Sequence, residues 1–138
     1  MDRLFLDANV LFSAAYRPKA GLLRFWNLKD AALCSSYYAL EEARINLVEE
    51  VQRRRLVRLS TNLHLFDAIL KELPRGVSLP EKDVPILLAA LEAEATHLIT
   101  GDVRHFGLYL NRTIEGILVL TPADYPATAG LSIARRRL

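Results

Sequence analysis

Short apolar runs alternate with stretches of helical period along this chain, and that alternation restricts its fold more than any other feature. Leu4 to Leu6, Ala31 to Ser35, Val77 to Leu79, His97 to Thr100 and Ile117 to Leu120 read as strands. Between them, Ala8 to Tyr16, Gly21 to Leu28, Tyr37 to Gln52, Arg55 to Leu73 and Val84 to Ala95 read as helices. Pro18, Pro74, Gly76 and Pro122 close elements, and Ser36 stands where a helix N-cap is wanted. Strand–helix–strand repetition needs long crossovers. It therefore predicts a mostly parallel sheet of about five strands with helices on both faces, a three-layer α/β/α sandwich.

With 138 residues, 51% of them hydrophobic and 25% charged, the chain is expected to bury the core of one domain. That domain is placed at 1–128, followed by a basic tail at 129–138 that carries Arg135, Arg136 and Arg137. A formal charge of only +2 argues against a generic polyanion binder, although 14 of the 18 basic residues are arginine. The single cysteine, Cys34, lies in an apolar run, so it reads as a small buried hydrophobe in a reducing setting. Asp2 and an immediate strand do not resemble a signal peptide, and no apolar run approaches the roughly 20 residues of a membrane helix. A cytoplasmic location is the expectation.

Acids follow three of the strands. Asp7 comes directly after Leu6, Asp83 after Val77 to Leu79 and a Pro80-Glu81-Lys82 turn, and Asp102 after Thr100-Gly101. Each alone has a plain structural use: Asp7 and Asp83 as helix caps, Asp102 in a Gly-Asp turn. In a parallel sheet, however, these turns share one edge. Carboxylates gathered there repel one another until a proton or cation intervenes, and hard divalent ions prefer oxygen ligands. A fourth acid comes from the long helix, where Leu40, Ala43, Leu47 and Val51 form an apolar stripe. Glu41 lies nearer its flank and Glu42 points away, so periodicity leaves the choice between them open.

In order and spacing these segments resemble the PIN-domain family, metal-dependent nucleases that include VapC-like toxin ribonucleases. The resemblance runs from Leu4 to about Tyr125. Leu6-Asp7-Ala8-Asn9-Val10-Leu11 is similar to the first motif, whose Asp is a metal ligand and whose Asn supports the loop. Ser36-Tyr37-Tyr38-Ala39-Leu40-Glu41-Glu42-Ala43 is similar to the second, in which the ligand Glu precedes a small residue; this selects Glu42. Leu79 to Leu87 resembles the third, with Asp83 as its acid. Leu98-Ile99-Thr100-Gly101-Asp102 resembles the fourth. Many relatives carry a further acid just beyond, where this chain has Arg104 and His105 before Phe106.

The resemblance implies that Asp7, Glu42, Asp83 and Asp102 surround one or two Mg²⁺ or Mn²⁺ ions, with Asn9 and Thr100 hydrogen-bonding around them. It implies hydrolysis of RNA to 5′-phosphate and 3′-hydroxyl ends, a homodimer, and a small antitoxin protein as partner. His105 beside Phe106 reads as a local structural group or a substrate contact. The run Arg53, Arg54, Arg55, Arg58 fits either RNA steering or a solvated helix end. Other classes with acids on a sheet edge fit less well. A receiver domain wants two early acids and a late lysine, and no lysine follows Lys82. A haloacid-dehalogenase-like phosphatase wants Asp-x-Asp, which Asn9 breaks. The alternative within the same fold is a binding module without catalysis.

Overall fold

Leu4, Phe5 and Leu6 are wholly buried, as a run without polar alternation must be when both faces of its sheet are covered. They form β1 (Asp2–Leu6) in the computed structural model, which describes residues 1–126. The other strands are β2 (Ala31–Ser36), β3 (His64–Phe66), β4 (His97–Ile99), β5 (Thr113–Ile114) and β6 (Ile117–Leu120). The α-helices are α1 (Ala8–Tyr16), α2 (Tyr37–Asn46), α3 (Glu50–Ser60) and α4 (Val84–Glu92). The sheet order is β3-β2-β1-β4-β6-β5, parallel except for the β5–β6 hairpin. This is the expected α/β sandwich, with six strands instead of about five. The predicted tail at 129–138 lies outside the described residues.

Helices flank this sheet. α1 packs against both α2 and α3, and α4 buries Ile86 through Ala90 consecutively, as its nearly unbroken apolar sequence requires. Cys34 is buried as expected, and burial pushes its thiol up to about 11. Trp26 is a packing residue whose Nε1 donates to the Leu59 carbonyl at 3.0 Å.

Four expectations need correction. Gly21–Asn27 is a 3-10 helix, not an α-helix. The helix predicted over 37–52 breaks after Asn46: Leu47 turns extended, and Glu49 starts α3 with a reciprocal capping box to Gln52. The helix predicted over 55–73 ends at Ser60, and the chain then forms the edge strand β3. Val77 to Leu79 is not a strand, so Asp83 follows an irregular segment and a 3-10 turn (Glu81–Asp83). β5 is an additional strand, closed on β6 by Glu115-Gly116. Both residues have positive φ (49° and 85°), the geometry of a tight two-residue hairpin turn.

The topology fixes where a ligand belongs. From β1 the chain moves through α1 to β2, and from β4 it moves the opposite way to β6. β1 and β4 are neighbours, so the direction of winding reverses between them, and open α/β sheets bind ligands beyond the carboxyl ends of strands at such a point.

Candidate functional site

Asp7 leaves β1 at that reversal. Its backbone N–H extends the ladder to the Ile99 carbonyl at 3.0 Å, and its carbonyl receives the first N–H groups of α1. Its carboxylate is buried and saturated with donors. Oδ1 accepts the Ala8 N–H at 2.6 Å, and Oδ2 accepts the Thr100 hydroxyl at 2.7 Å and the Asn9 amide at 3.2 Å. The N-cap role and a place in the cleft therefore coexist. Burial pushes the Asp7 carboxyl up to about 6, against the donors that stabilise its charge, and the nearby Asp83 charge adds to the rise.

Thr100 ties this wall together. While its hydroxyl donates to Asp7, its oxygen accepts the Asp102 N–H at 3.0 Å. Asn9 makes a second tie, its Oδ1 accepting the Gly101 N–H at 2.7 Å. A Cβ at Gly101 would sit 3.2 Å from that same oxygen, so the glycine permits the close approach.

The opposite wall is built differently. Asp83 occupies the N-cap position of α4 but makes no capping hydrogen bond. Its Oδ2 instead lies 2.8 Å from His105 Nδ1, which is also 2.9 Å from Asp102 Oδ2. Asp102 Oδ1 accepts the His105 backbone N–H at 3.0 Å, fixing the turn that presents the ring. Burial raises the Asp83 carboxyl above its ordinary value, with His105 opposing and Asp102 reinforcing the shift. His105 is thus a site residue, not merely a local support. The sequence signal was its place three residues after Asp102, in a turn that brings both side chains to one point.

Glu42 joins the acids from α2. It lines a cleft of about 500 Å³ together with Asp7, Asn9, Lys82, Asp83 and Asp102. Glu41 points outward and pairs with Arg44 at 2.5 Å, which holds its carboxyl below the ordinary value. Periodicity centred the inward face on Leu40, Leu47 and Val51, whereas the residues of α2 that are buried are Ala39 and Ala43. With that face inward, Glu42 and Asn46, one turn apart, flank Ala43 along the cleft. Tyr38, one turn before Glu42, donates to the Lys82 carbonyl at 2.8 Å and so braces the loop before Asp83. Its phenol is pushed up to about 12, first by burial and then by Glu42. The arginine run is largely structural. Arg55 donates to the Ala15 and Tyr16 carbonyls at the end of α1, Arg53 to the Leu47 carbonyl, and Arg54 pairs with Glu50.

The donor set fits a divalent cation. Among the described residues, Asp83, Asp102 and His105 form one group whose ligand atoms all lie within 4.8 Å of one another. Asp83 Oδ2 and His105 Nδ1 are buried and pair at 2.8 Å, yet neither makes a hydrogen bond of regular geometry. An unsatisfied buried polar atom costs about 1–3 kcal/mol, which a shared cation offsets.

No protein-family model matches the chain, and no curated protein sequence matches it. Solved structures do. The chain is similar to VapBC2 from Rickettsia felis, bound to a DNA fragment from their promoter, at 17% identity and a TM-score of 0.64, covering 86% of this chain and 98% of that one. VapBC-1 from nontypeable Haemophilus influenzae matches at 17% identity and TM-score 0.55, over 88% and 99% of the two chains. FitAB bound to an IR36 DNA fragment matches at 16% identity and TM-score 0.56, over 89% and 97%. At these identities the likeness is one of fold: a PIN-like fold of the VapC and FitAB type, as the motifs had implied.

Proposed function

We propose that the chain is a metal-dependent endoribonuclease that hydrolyses RNA phosphodiester bonds, and that it serves as the toxin of a toxin–antitoxin pair. One observation carries the reading. Four acids from four separate parts of the chain, Asp7, Glu42, Asp83 and Asp102, border one cleft at the winding reversal of the sheet, and two buried polar atoms there are left unsatisfied. The toxin role rests on the fold shared with VapBC and FitAB chains. A small antitoxin protein as partner, a homodimer and a cytoplasmic setting belong to the same proposal. Among the described residues, no helix is long and apolar enough to cross a membrane.

Mg²⁺ or Mn²⁺ bound among these acids would lower the pKa of a coordinated water and stabilise charge on the attacked phosphate. Asp83, Asp102 and His105 offer ligand atoms at one point, and Asp7 and Glu42 border the same space. Thr100 and Asn9 orient the Asp7 carboxylate through their hydrogen bonds and hold Asp102 in register. Lys82 lines the cleft and supplies the cation that a non-bridging phosphate oxygen needs. Beyond Phe12 and Gly101 the cleft continues into a groove lined by Tyr16, Arg17 and Arg24 and by no acid, a path suited to the flanking phosphates. Attack by water on phosphorus with scission of the P–O3′ bond gives the 5′-phosphate and 3′-hydroxyl ends.

The test is cleavage of single-stranded RNA with Mg²⁺ or Mn²⁺ present and then with excess chelator. Cleavage that chelator stops and Asp7→Asn abolishes supports the proposal. Equal cleavage in chelator, or RNA binding without any cleavage in either metal, overturns it, the latter in favour of a binding module.

A further inference from the structure

We infer that His105 is a nitrogen ligand of the cation in this cleft, and that it makes the site select a six-coordinate first-row transition-metal ion over Mg²⁺. The inference rests on the metal-dependent reading above and adds to it the identity of the metal.

His105 Nδ1 stands 2.8 Å from Asp83 Oδ2 and 2.9 Å from Asp102 Oδ2. Neighbouring ligands of an octahedral ion with bonds of about 2.1 Å lie about 3.0 Å apart. Around a tetrahedral ion of about 2.0–2.1 Å bonds, the same spacing is about 3.3–3.4 Å. The observed separations, which also suit a ring N–H shared between two carboxylates, lie nearer the octahedral edge than the tetrahedral one.

Nδ1 and the Asp83 oxygen are buried and make no hydrogen bond of regular geometry, and Asp83 as a whole is only 7% exposed. Nor is the ring free to leave. The His105 N–H is held by Asp102 Oδ1, and the next residue, Phe106, is wholly buried in the core. Asp102 thus spends one oxygen on the turn and turns the other to the centre.

Chemistry then decides which ion is preferred. Mg²⁺ dehydrates reluctantly and takes oxygen ligands, so an imidazole in its coordination sphere is a poor exchange for water. Transition ions accept imidazole, with affinity rising from Mn²⁺ onward along the first row. Two carboxylates plus one imidazole suit Mn²⁺ or Fe²⁺ in octahedral geometry.

Mn²⁺ is the probe, and the chain's composition makes the measurement clean. It has three histidines: His105, His64 on the exposed edge of β3, and His97 on β4, stacked edge-on against Tyr125. Full-length protein is loaded with Mn²⁺ without RNA, and nitrogen coupling to the ion is read by pulsed electron paramagnetic resonance. The expected result is a ¹⁴N modulation that converts to the ¹⁵N pattern when the histidines are ¹⁵N-labelled, and that persists in His64→Gln. His105→Asp should lose the modulation while still binding Mn²⁺, and its Mn²⁺-over-Mg²⁺ preference should fall roughly tenfold or more in competition titrations.

Mn²⁺ bound with no histidine nitrogen coupling in the unsubstituted protein overturns the inference, whatever the variants do. So does a preference in His105→Asp within about twofold of the parent. If RNA cleavage remains metal-dependent in either of those cases, the nuclease reading survives and only the ligand assignment falls. If neither ion binds the unsubstituted protein, both fall together.

Discussion

Asp7 and Asp83 both occupy the residue before a helix, yet the fold treats them in opposite ways. Asp7 is saturated: the Ala8 N–H, the Thr100 hydroxyl and the Asn9 amide all point at its two oxygens. Asp83 declines the capping role that its position offers, and its Oδ2 is buried against His105 with no hydrogen bond. One wall of the cleft is organised by the protein itself. The other is left for something the protein must bind. In a low-dielectric cleft, a charge held by fixed dipoles serves orientation, whereas an unsatisfied one serves affinity.

The comparison breaks most visibly in catalysis. Asp7→Asn and Asp83→Asn should each lower RNA cleavage by roughly 10²–10³-fold or more, measured as initial rates at saturating metal. Their metal dependence should differ. Asp83→Asn should lose the rise in melting temperature that Mn²⁺ gives the parent protein, and Asp7→Asn should keep part of it. Identical thermal shifts in the two variants would erase the distinction between the walls.

The next effect is a pH dependence of metal-free stability. Folded Asp7 holds its proton up to about pH 6, whereas its ordinary value is 3.8. Between these the native state binds more protons than the unfolded chain, so stability falls as pH rises. The loss is complete above the folded value and is about 3 kcal/mol in size. Burial of Asp83 acts in the same direction. Denaturant unfolding of the parent and of Asp7→Asn from pH 4 to 7 checks this. The gap should move in favour of the variant as pH rises, and a constant gap would show that burial is not straining Asp7.

Thr100→Val sharpens the organised wall. It removes the donor to Asp7 and the acceptor for the Asp102 N–H, which should cost about 1–3 kcal/mol in denaturant unfolding and roughly 10–100-fold in cleavage. A variant equal to the parent in rate would mean that Thr100 is only a core residue. The smallest effect separates the two glutamates of α2. Glu41→Gln, at an exposed pair with Arg44, should leave rate and melting temperature unchanged, while Glu42→Gln should lower the rate.

Strands buried on both faces were legible in the sequence, because Leu4-Phe5-Leu6 and Leu33-Cys34 are unbroken apolar runs that admit few alternatives. The edge strands were not. His64-Leu65-Phe66 is three residues long and sits in a stretch whose leucines also satisfy a helical period, so tertiary pairing with β2 decided it. Val77 to Leu79 shows the converse: an apolar, strand-like alternation with no neighbour to pair with. The break between α2 and α3 hides behind Leu47 and Val51, which continue the apolar stripe across it. Its one local signature was Glu49 three residues before Gln52, a capping box. For the site, the acids of the β1 and β4 ends followed from strand and turn chemistry. Asp83 was attached to a strand that does not exist, and the choice of Glu42 came from a family motif and not from period. His105 was open between a structural group and a substrate contact, because a separation of three in a turn does not reveal which way the ring points.

The tie between Asp7 and Thr100 spans 93 positions of sequence. Contacts of that separation form late in folding, after the loops between them have closed. Asp7 and Glu42 are made before β4, so the cleft has no second wall until β4 has emerged and paired with β1. On the proposed ribonuclease reading, the cleft becomes competent only once β4 has docked beside β1.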